Sequence, residues 1–422
     1  MITRIEALRY RCLRHICLDL DRFHVLVGPN ASGKSTLLDV IAFIGDFLNE
    51  GVDAAVSGSR LVFPRVMENF SELVFDRAGK DFELALELAI PERLRKQGNG
   101  NWTRCRYQVA IGAEGQAGEI RILQESFWLK PDDKAPPTVP SLFPAPKEAP
   151  ETIMAGTERT PPGWRKVVNK IEGSGNDYFR SETTDWNNAF RLGPRKAALA
   201  NLPEDESKFP VATWAKRYLM EQIQTLMLSS YAMRSPAPPG RPVAYLPNGS
   251  NLPVLVQYLQ QREPERFRAW VEHVRTCLTD LKEVKVIEIP HNKNLYVQLD
   301  YGHVSVPSWL VSDGTLRLLA LTLLAYLPAF QRTLMIEEPE NGVHPKAVEA
   351  VFQSLSSVYE SQVLLASHSP LILGLAKPEQ LLCFAKLPDG SADIVRGDLH
   401  PALREWSGEV DLPTLYAAGV LG

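Results

Sequence analysis

Gly28, Gly33, Lys34 and Ser35 stand in the spacing Gly-x-x-x-x-Gly-Lys-Ser, with Pro29, Asn30, Ala31 and Ser32 between the glycines and Thr36 after the serine. These residue types at this spacing suit a polyphosphate. Glycines let backbone N–H groups turn inward around phosphate oxygens. A lysine ammonium reaches the β- and γ-phosphates as a point charge, and a serine hydroxyl ligates Mg2+. A chance glycine–serine loop can have the same letters, so the flanks decide. Phe23 to Val27 is short, apolar and rich in β-formers, which predicts a buried strand. Leu37, Leu38, Ile41, Ile44 and Leu48 recur at helical spacing after it. The loop therefore joins a strand to a helix, whose N-terminus adds about half a positive charge. The expected cofactors are ATP and Mg2+. Gly28 to Thr36 would hold the nucleotide, with Ser35 on the metal and Lys34 also in the chemistry.

Hydrolysis needs more than this loop. It needs a carboxylate for the metal and a residue that positions water. The stretch "TLMIEEPENGVHP" (333–345) offers both. Leu334, Met335 and Ile336 predict a buried strand that ends in Glu337 and Glu338. Glu337 is expected at the metal or a metal-bound water, and Glu338 as the base that orients or deprotonates the attacking water. A solvated acidic turn is the competing account, and the apolar run leading into the pair disfavours it. "QVLLASHSP" (362–370) is another apolar strand ending in a polar cluster. A lone histidine is more often structural, but the strand-end position of His368 favours a contact with the γ-phosphate. "WLVSDGTLRLLAL" (309–321) places Ser312, Asp313 and Gly314 at the head of an apolar helix. Its free N–H groups can bind an anion. By itself the stretch is explained more simply by an N-cap from Ser312 or Asp313.

The elements that position these residues follow from the rest of the chain. With 422 residues, 45% hydrophobic and 23% charged, it has the composition of a globular protein of two or three domains. Its 46 basic and 50 acidic residues leave a net charge of −4, which does not indicate a strongly basic nucleic-acid binder. Arg4, Arg9, Arg11 and Arg14 fit a local basic patch or a solvated strand face equally. Cys12, Cys17, Cys105, Cys277 and Cys383 form no C-x-x-C pair and read as reduced thiols of a cytoplasmic protein. The most apolar segment (316–330) ends too soon to span a membrane, so no membrane partner is expected.

Residues 1–125 read as a β-rich lobe carrying the phosphate loop, with "DFELALELAI" alternating cleanly and 105–129 forming two strands about a glycine-containing turn. Residues 126–280 read as an inserted region. It begins with a Pro-rich loop over 130–163 and continues with a helix over 212–233 and two more broken near Pro264. Residues 281–422 alternate strands and helices, which predicts a parallel sheet with the nucleotide at the carboxyl ends of its strands. The expected class is α/β with a largely helical middle.

These pieces, in this order, resemble prokaryotic AAA-type, ABC-like ATPases of the RecF/SMC/OLD-like group. The resemblance rests on Gly28 to Thr36, on "SDGTLR" as a reduced ABC signature, on "MIEEPENGVHP" as Walker B with its following loop, and on "SHSP" as the switch-histidine segment. "YLPNGSNLPVLVQYL" and "GEVDLPTLYAAGVLG" also resemble this group, and within it the ATPase subunits of antiviral systems such as Septu and PARIS. Glu337 stands where the family usually has Asp, the signature lacks its second glycine, and no glutamine takes the place of the family's Q-loop. The resemblance implies a P-loop ABC-type ATPase head. It implies a head-to-tail dimer or higher oligomer, in which Ser312 and Gly314 of one copy complete the ATP site of the other. It further implies a separate effector protein such as a nuclease. A RecF-like repair ATPase that binds DNA itself is the alternative, and an ATP-bound scaffold or a transporter subunit ranks below both.

Overall fold

The computed structural model describes residues 1–57, 69–77, 79–96, 101–114, 119–132, 139–156, 159–328, 331–358, 360–404 and 411–421. Among these residues the strands form three sheets. The largest is antiparallel and contains β1 (Ile2–Tyr10), β2 (Leu13–Asp19), β4 (Asp81–Ala89), β5 (Arg104–Glu114), β6 (Glu119–Lys130), β7 (Arg165–Ile171), β8 (Tyr178–Arg180) and β9 (Asn187–Ala189). Its order is β2-β1-β4-β5-β6-β7-β8-β9. The turn between β5 and β6 lies outside the described residues.

The second sheet has the order β10-β14-β15-β3-β16-β17, formed by Ile223–Leu226, Thr333–Glu337, Gln362–Ala366, Phe23–Val27, Leu381–Lys386 and Ala392–Arg396 respectively. All neighbours run parallel except β17, which returns antiparallel to β16. A smaller antiparallel sheet holds β11 (Glu283–Glu288), β12 (Leu295–Asp300) and β13 (Ser305–Pro307).

Helix α1 (Lys34–Glu50) is buried by both large sheets, so it carries apolar residues well beyond a single stripe. Leu37, Leu38, Ile41 and Ile44 are fully buried, each burial stabilising the fold by about 1.5–3 kcal/mol. They share a core with Leu84 and Leu86 of the antiparallel sheet and with Met335 and Leu364 of the parallel one. On the parallel sheet's other face, the helices Leu252–Arg262, Pro264–Arg275, Asp313–Leu323 and Pro345–Ser356 build a second core. Gln362 joins the lobes. Its buried amide donates to the carbonyls of Ile2 and Asp21 and accepts from the Ile2 N–H.

The strands at 333–337 and 362–366 fall where the apolar runs predict them. The single helix expected over 212–233 is instead three elements: a helix Pro210–Glu221, strand β10, and a short helix Ser230–Arg234. Ile223–Leu226 pairs with Thr333–Ile336, and this ladder overrides the local helical pattern. Helices therefore dominate only from Pro210 onward, while 165–189 adds three strands to the antiparallel sheet.

The described part of the Pro-rich stretch is a strap. Along β4, Phe82, Leu84, Leu86 and Leu88 face the core while Glu83 and Glu87 face the other way, yet both acids are buried as well. The strap covers them. Ile153 N donates to Glu83 at 2.7 Å, Ala155 N to Gln108 at 3.0 Å, and Arg106 donates to the Ile153 carbonyl at 2.8 Å. Arg106 and Lys130 pair with Glu87, which offsets the cost of burying these charges. Further along, Ala145 N and Lys147 bind Asp393 of β17.

Candidate functional site

The sheet order brings the three motifs together. Ala366 of β15 pairs with Glu337 on one side and Leu26 on the other, so the carboxyl ends of β14, β15 and β3 lie side by side. Gly28 leaves β3 at φ 149°, a conformation that favours glycine, and an added Cβ would lie 2.3 Å from the Phe384 carbonyl oxygen. Helix α1 then follows Gly33, its N-cap residue, with no side-chain cap and no acid in its first turn. Its orphan N–H groups are thus left for an anion.

A cavity of about 860 Å3 opens at this point. Asn30 to Thr36, Glu338 and His368 line it. Lys34 Nζ donates to the carbonyls of Gly28 at 2.9 Å and Pro29 at 2.8 Å, which folds the loop around the ammonium. Burial lowers the Lys34 pKa, opposed by the charges of Glu337 and Glu338. Ser32 is 1% exposed, and its hydroxyl has no hydrogen-bond partner. Uncapped N–H groups, a buried ammonium and an orphaned hydroxyl fit a phosphate chain.

Glu338 is exposed and takes φ 47°, a left-handed backbone that costs a non-glycine residue about 1 kcal/mol or more. Its N–H bonds the Ala366 carbonyl at 2.8 Å, and its carboxylate accepts from the Asn341 amide. Strain held this way at a strand end points to a positioned side chain. Glu337 is exposed at the same strand end but is not among the cavity's lining residues. Glu340 accepts from Ser367 Oγ at 2.6 Å, while its second oxygen is buried without a partner. His368 is half-buried. Its pKa is lowered by burial and then by the Lys34 charge, against the opposing charges of Glu338 and Glu340.

Among the described residues, no cluster of three or more His, Cys, Asp or Glu is placed to hold a metal ion alone. Ser35 and Glu337 offer hard oxygen donors, which suit a Mg2+ that takes its other ligands from phosphate and water.

Ser312 and Gly314 are not among the cavity's lining residues. Ser312 caps the helix Asp313–Leu323, its Oγ accepting from Thr315 N. Gly314 sits where that helix meets the loop after β14, and an added Cβ would lie 2.2 Å from the Gly342 carbonyl oxygen. Gly314→Ala is therefore expected to lower stability by about 1–3 kcal/mol through overpacking. Thermal unfolding checks this, and an unshifted Tm would mean that the loop yields freely. Beside Ser312, three large apolar side chains are exposed around the Arg234–Asp313 ion pair: Tyr231 at 84%, Trp309 at 45% and Leu310 at 71%.

Three parts of the cavity wall escape a motif reading. Arg11 and Cys12 come from the β1–β2 turn, Phe75 to Arg77 from a short 3-10 turn, and Lys386, Asp389 and Gly390 from the β16–β17 hairpin. Arg4, Arg9, Arg11 and Arg14 each have a carboxylate partner: Asp19, Asp81, Asp39 and Asp389.

The family described as "AAA domain, putative AbiEii toxin, Type IV TA system" matches residues 23–374, which span the phosphate loop, the Glu337–Glu338 strand end and His368. The chain belongs to this AAA-domain family. An AAA domain is a nucleotide-binding domain. No curated protein matches it. Among solved structures it resembles the Smc head bound to the C-winged helix domain of ScpA, at 12% identity and TM-score 0.51, covering 93% of this chain and 96% of that one. It also resembles the Smc head with an extended coiled coil bound to the C-terminal domain of ScpA from Pyrococcus furiosus, at 13% identity and TM-score 0.49, covering 93% and 95%. The first of these likenesses makes the fold that of an SMC-type ATPase head, the α/β P-loop class expected from the motifs. No helix among the described residues is long and apolar enough to cross a membrane.

Proposed function

We propose that this AAA-family protein is a Mg2+-dependent ATPase that switches a partner effector through an ATP-closed dimer rather than by binding DNA itself. The observation that carries the hydrolytic part is the convergence of Lys34, Glu338 and His368 on one cavity. Lys34 and the N–H groups of α1 bind the phosphates. Mg2+ at Ser35 and Glu337 would neutralise charge on the β- and γ-phosphate oxygens. Glu338 takes a proton from the attacking water. The water oxygen bonds to the γ-phosphorus, the bond to the bridging oxygen breaks, and that electron pair leaves with ADP.

The dimer reading is supported by the exposed Tyr231, Trp309 and Leu310 beside Ser312, large apolar side chains fit to pack against a second copy. Ser312 and Gly314 would then reach the partner's γ-phosphate. An ATP held between two copies gives the closed state its differential affinity. The effector reading is supported by the family description, which joins such domains to toxin systems. The pairing of Arg4, Arg9, Arg11 and Arg14 weakens the DNA alternative, because a basic stripe of free cations is what that reading needs.

Tagged Glu338→Gln protein, purified from its own host with ATP present, is expected to bring down a second polypeptide, a nuclease, identified by mass spectrometry. Recovery of DNA without a companion would overturn the effector reading in favour of direct action on DNA.

A further inference from the structure

The helix Leu412–Ala417 lies against Pro370–Leu375, the helix that follows His368, with Pro413 beside Gly374. It brings the half-buried Tyr416 against the phosphate loop and His368. The Tyr416 hydroxyl donates to the Gly28 carbonyl at 3.1 Å, and His368 Nδ1 lies 3.0 Å from the same phenol oxygen. A phenol has one proton to give, and a carbonyl can only accept. With that proton committed to Gly28, the phenol oxygen must accept from His368. In that arrangement neutral His368 carries its proton on Nδ1 and leaves Nε2 bare.

We propose that Tyr416 is a positioning residue that locks His368 in its Nδ1–H form and ties it to the phosphate loop, so that Nε2 must gain a proton to bind a γ-phosphate. This rests on reading the cavity as an ATP site. A bare Nε2 offers only a lone pair to an anionic oxygen, which repels it. An imidazolium offers an N–H. The charged and titratable groups around His368 are Lys34 from α1, Glu338 and Glu340 from the loop after β14, and Tyr416 itself. Burial and Lys34 favour a neutral ring before nucleotide arrives. The arriving γ-phosphate reverses that balance, whereas ADP brings no charge to the position. ATP affinity then falls as pH rises through and above the lowered pKa of free His368, and ADP affinity does not follow it.

Nitrogen-15 NMR of the nucleotide-free full chain, with the His368 signals assigned by their loss in His368→Asn, reads the tautomer directly. The wild type is expected to show the Nδ1–H form, and Tyr416→Phe is expected to shift it toward Nε2–H. Calorimetry in buffers of different ionisation enthalpy then reads proton uptake. A non-hydrolysable ATP analogue should take up about one proton more than ADP in the wild type. The difference should shrink in Tyr416→Phe, whose ring can donate from Nε2 while neutral. The preference for the ATP analogue over ADP near neutral pH should also change by about tenfold, the effect of one positioning hydrogen bond. An identical tautomer in the two proteins, or identical proton uptake, overturns the role of Tyr416. A wild type that binds no nucleotide overturns the ATP reading instead, and the tautomer measurement on the free protein still decides what Tyr416 does.

Discussion

Lys34→Ala is expected to lose nucleotide binding and turnover by at least about a hundredfold, the scale of removing one preorganised charge from a phosphoryl-transfer site. The ammonium is the buried cation of the cavity loop and bonds the carbonyls of Gly28 and Pro29. Its removal takes away the charge that meets the phosphates and leaves those carbonyls without this donor. The side-chain stem is buried too, so alanine also opens a small void. Lys34→Met keeps the volume and removes only the charge. Both variants should lose binding alike, measured by equilibrium titration with a labelled ATP analogue and by phosphate release. If either turned ATP over at the wild-type rate, the loop would not be the nucleotide site. Thermal unfolding separates this loss from misfolding, because the α1 core of Leu37, Leu38, Ile41 and Ile44 is untouched.

What the sequence reveals and what it hides divide along physical lines. The phosphate loop, the strand before Glu337 and the strand before His368 are local patterns: a short apolar run that ends in a polar cluster. Such a pattern reads without knowledge of the fold, and the strands sit at 23–27, 333–337 and 362–366. That these three strand ends are neighbours depends on sheet order, which local periodicity does not encode. Ile223–Leu226 reads as helix because its neighbours are helical. It becomes a strand because β14 offers it a ladder. At the strand's carboxyl end stand Met227 and Leu228, and Gln224 is turned away to the Tyr245 carbonyl. No glutamine from this strand reaches the cavity lining. Arg11 reads as one of four similar arginines, and only the fold sets it on Asp39 at the cavity wall. Tyr416 lies far along the chain from Gly28, in a stretch that resembles the family but has no phosphate-binding pattern of its own, so its bond to the loop is visible only in three dimensions.

Glu338→Gln is expected to bind ATP as the wild type does and to hydrolyse it about 10²–10⁴-fold more slowly, the range that a general base contributes. The substitution is close to isosteric. The Asn341 amide still has a carbonyl oxygen to donate to, and the backbone N–H bond to Ala366 does not involve the side chain. The φ 47° conformation is therefore kept, and what is lost is the ability to accept a proton. Glu340 is poorly placed to substitute, since Ser367 occupies one of its oxygens and the other is buried. Glu337 is not among the residues lining the cavity. With hydrolysis blocked, the γ-phosphate stays, and so does the differential affinity that closes the dimer. Light scattering with ATP should then show a stable dimer in Glu338→Gln and only a transient one in the wild type. Wild-type turnover in the variant would move the base to Glu337 or Glu340, and the same substitution at each would tell them apart. A variant that binds ATP, fails to hydrolyse it and stays monomeric would leave Glu338 as the base but remove the dimer. The switch would then have to act within one chain, through the loop from Glu338 to Val343 that meets Gly314.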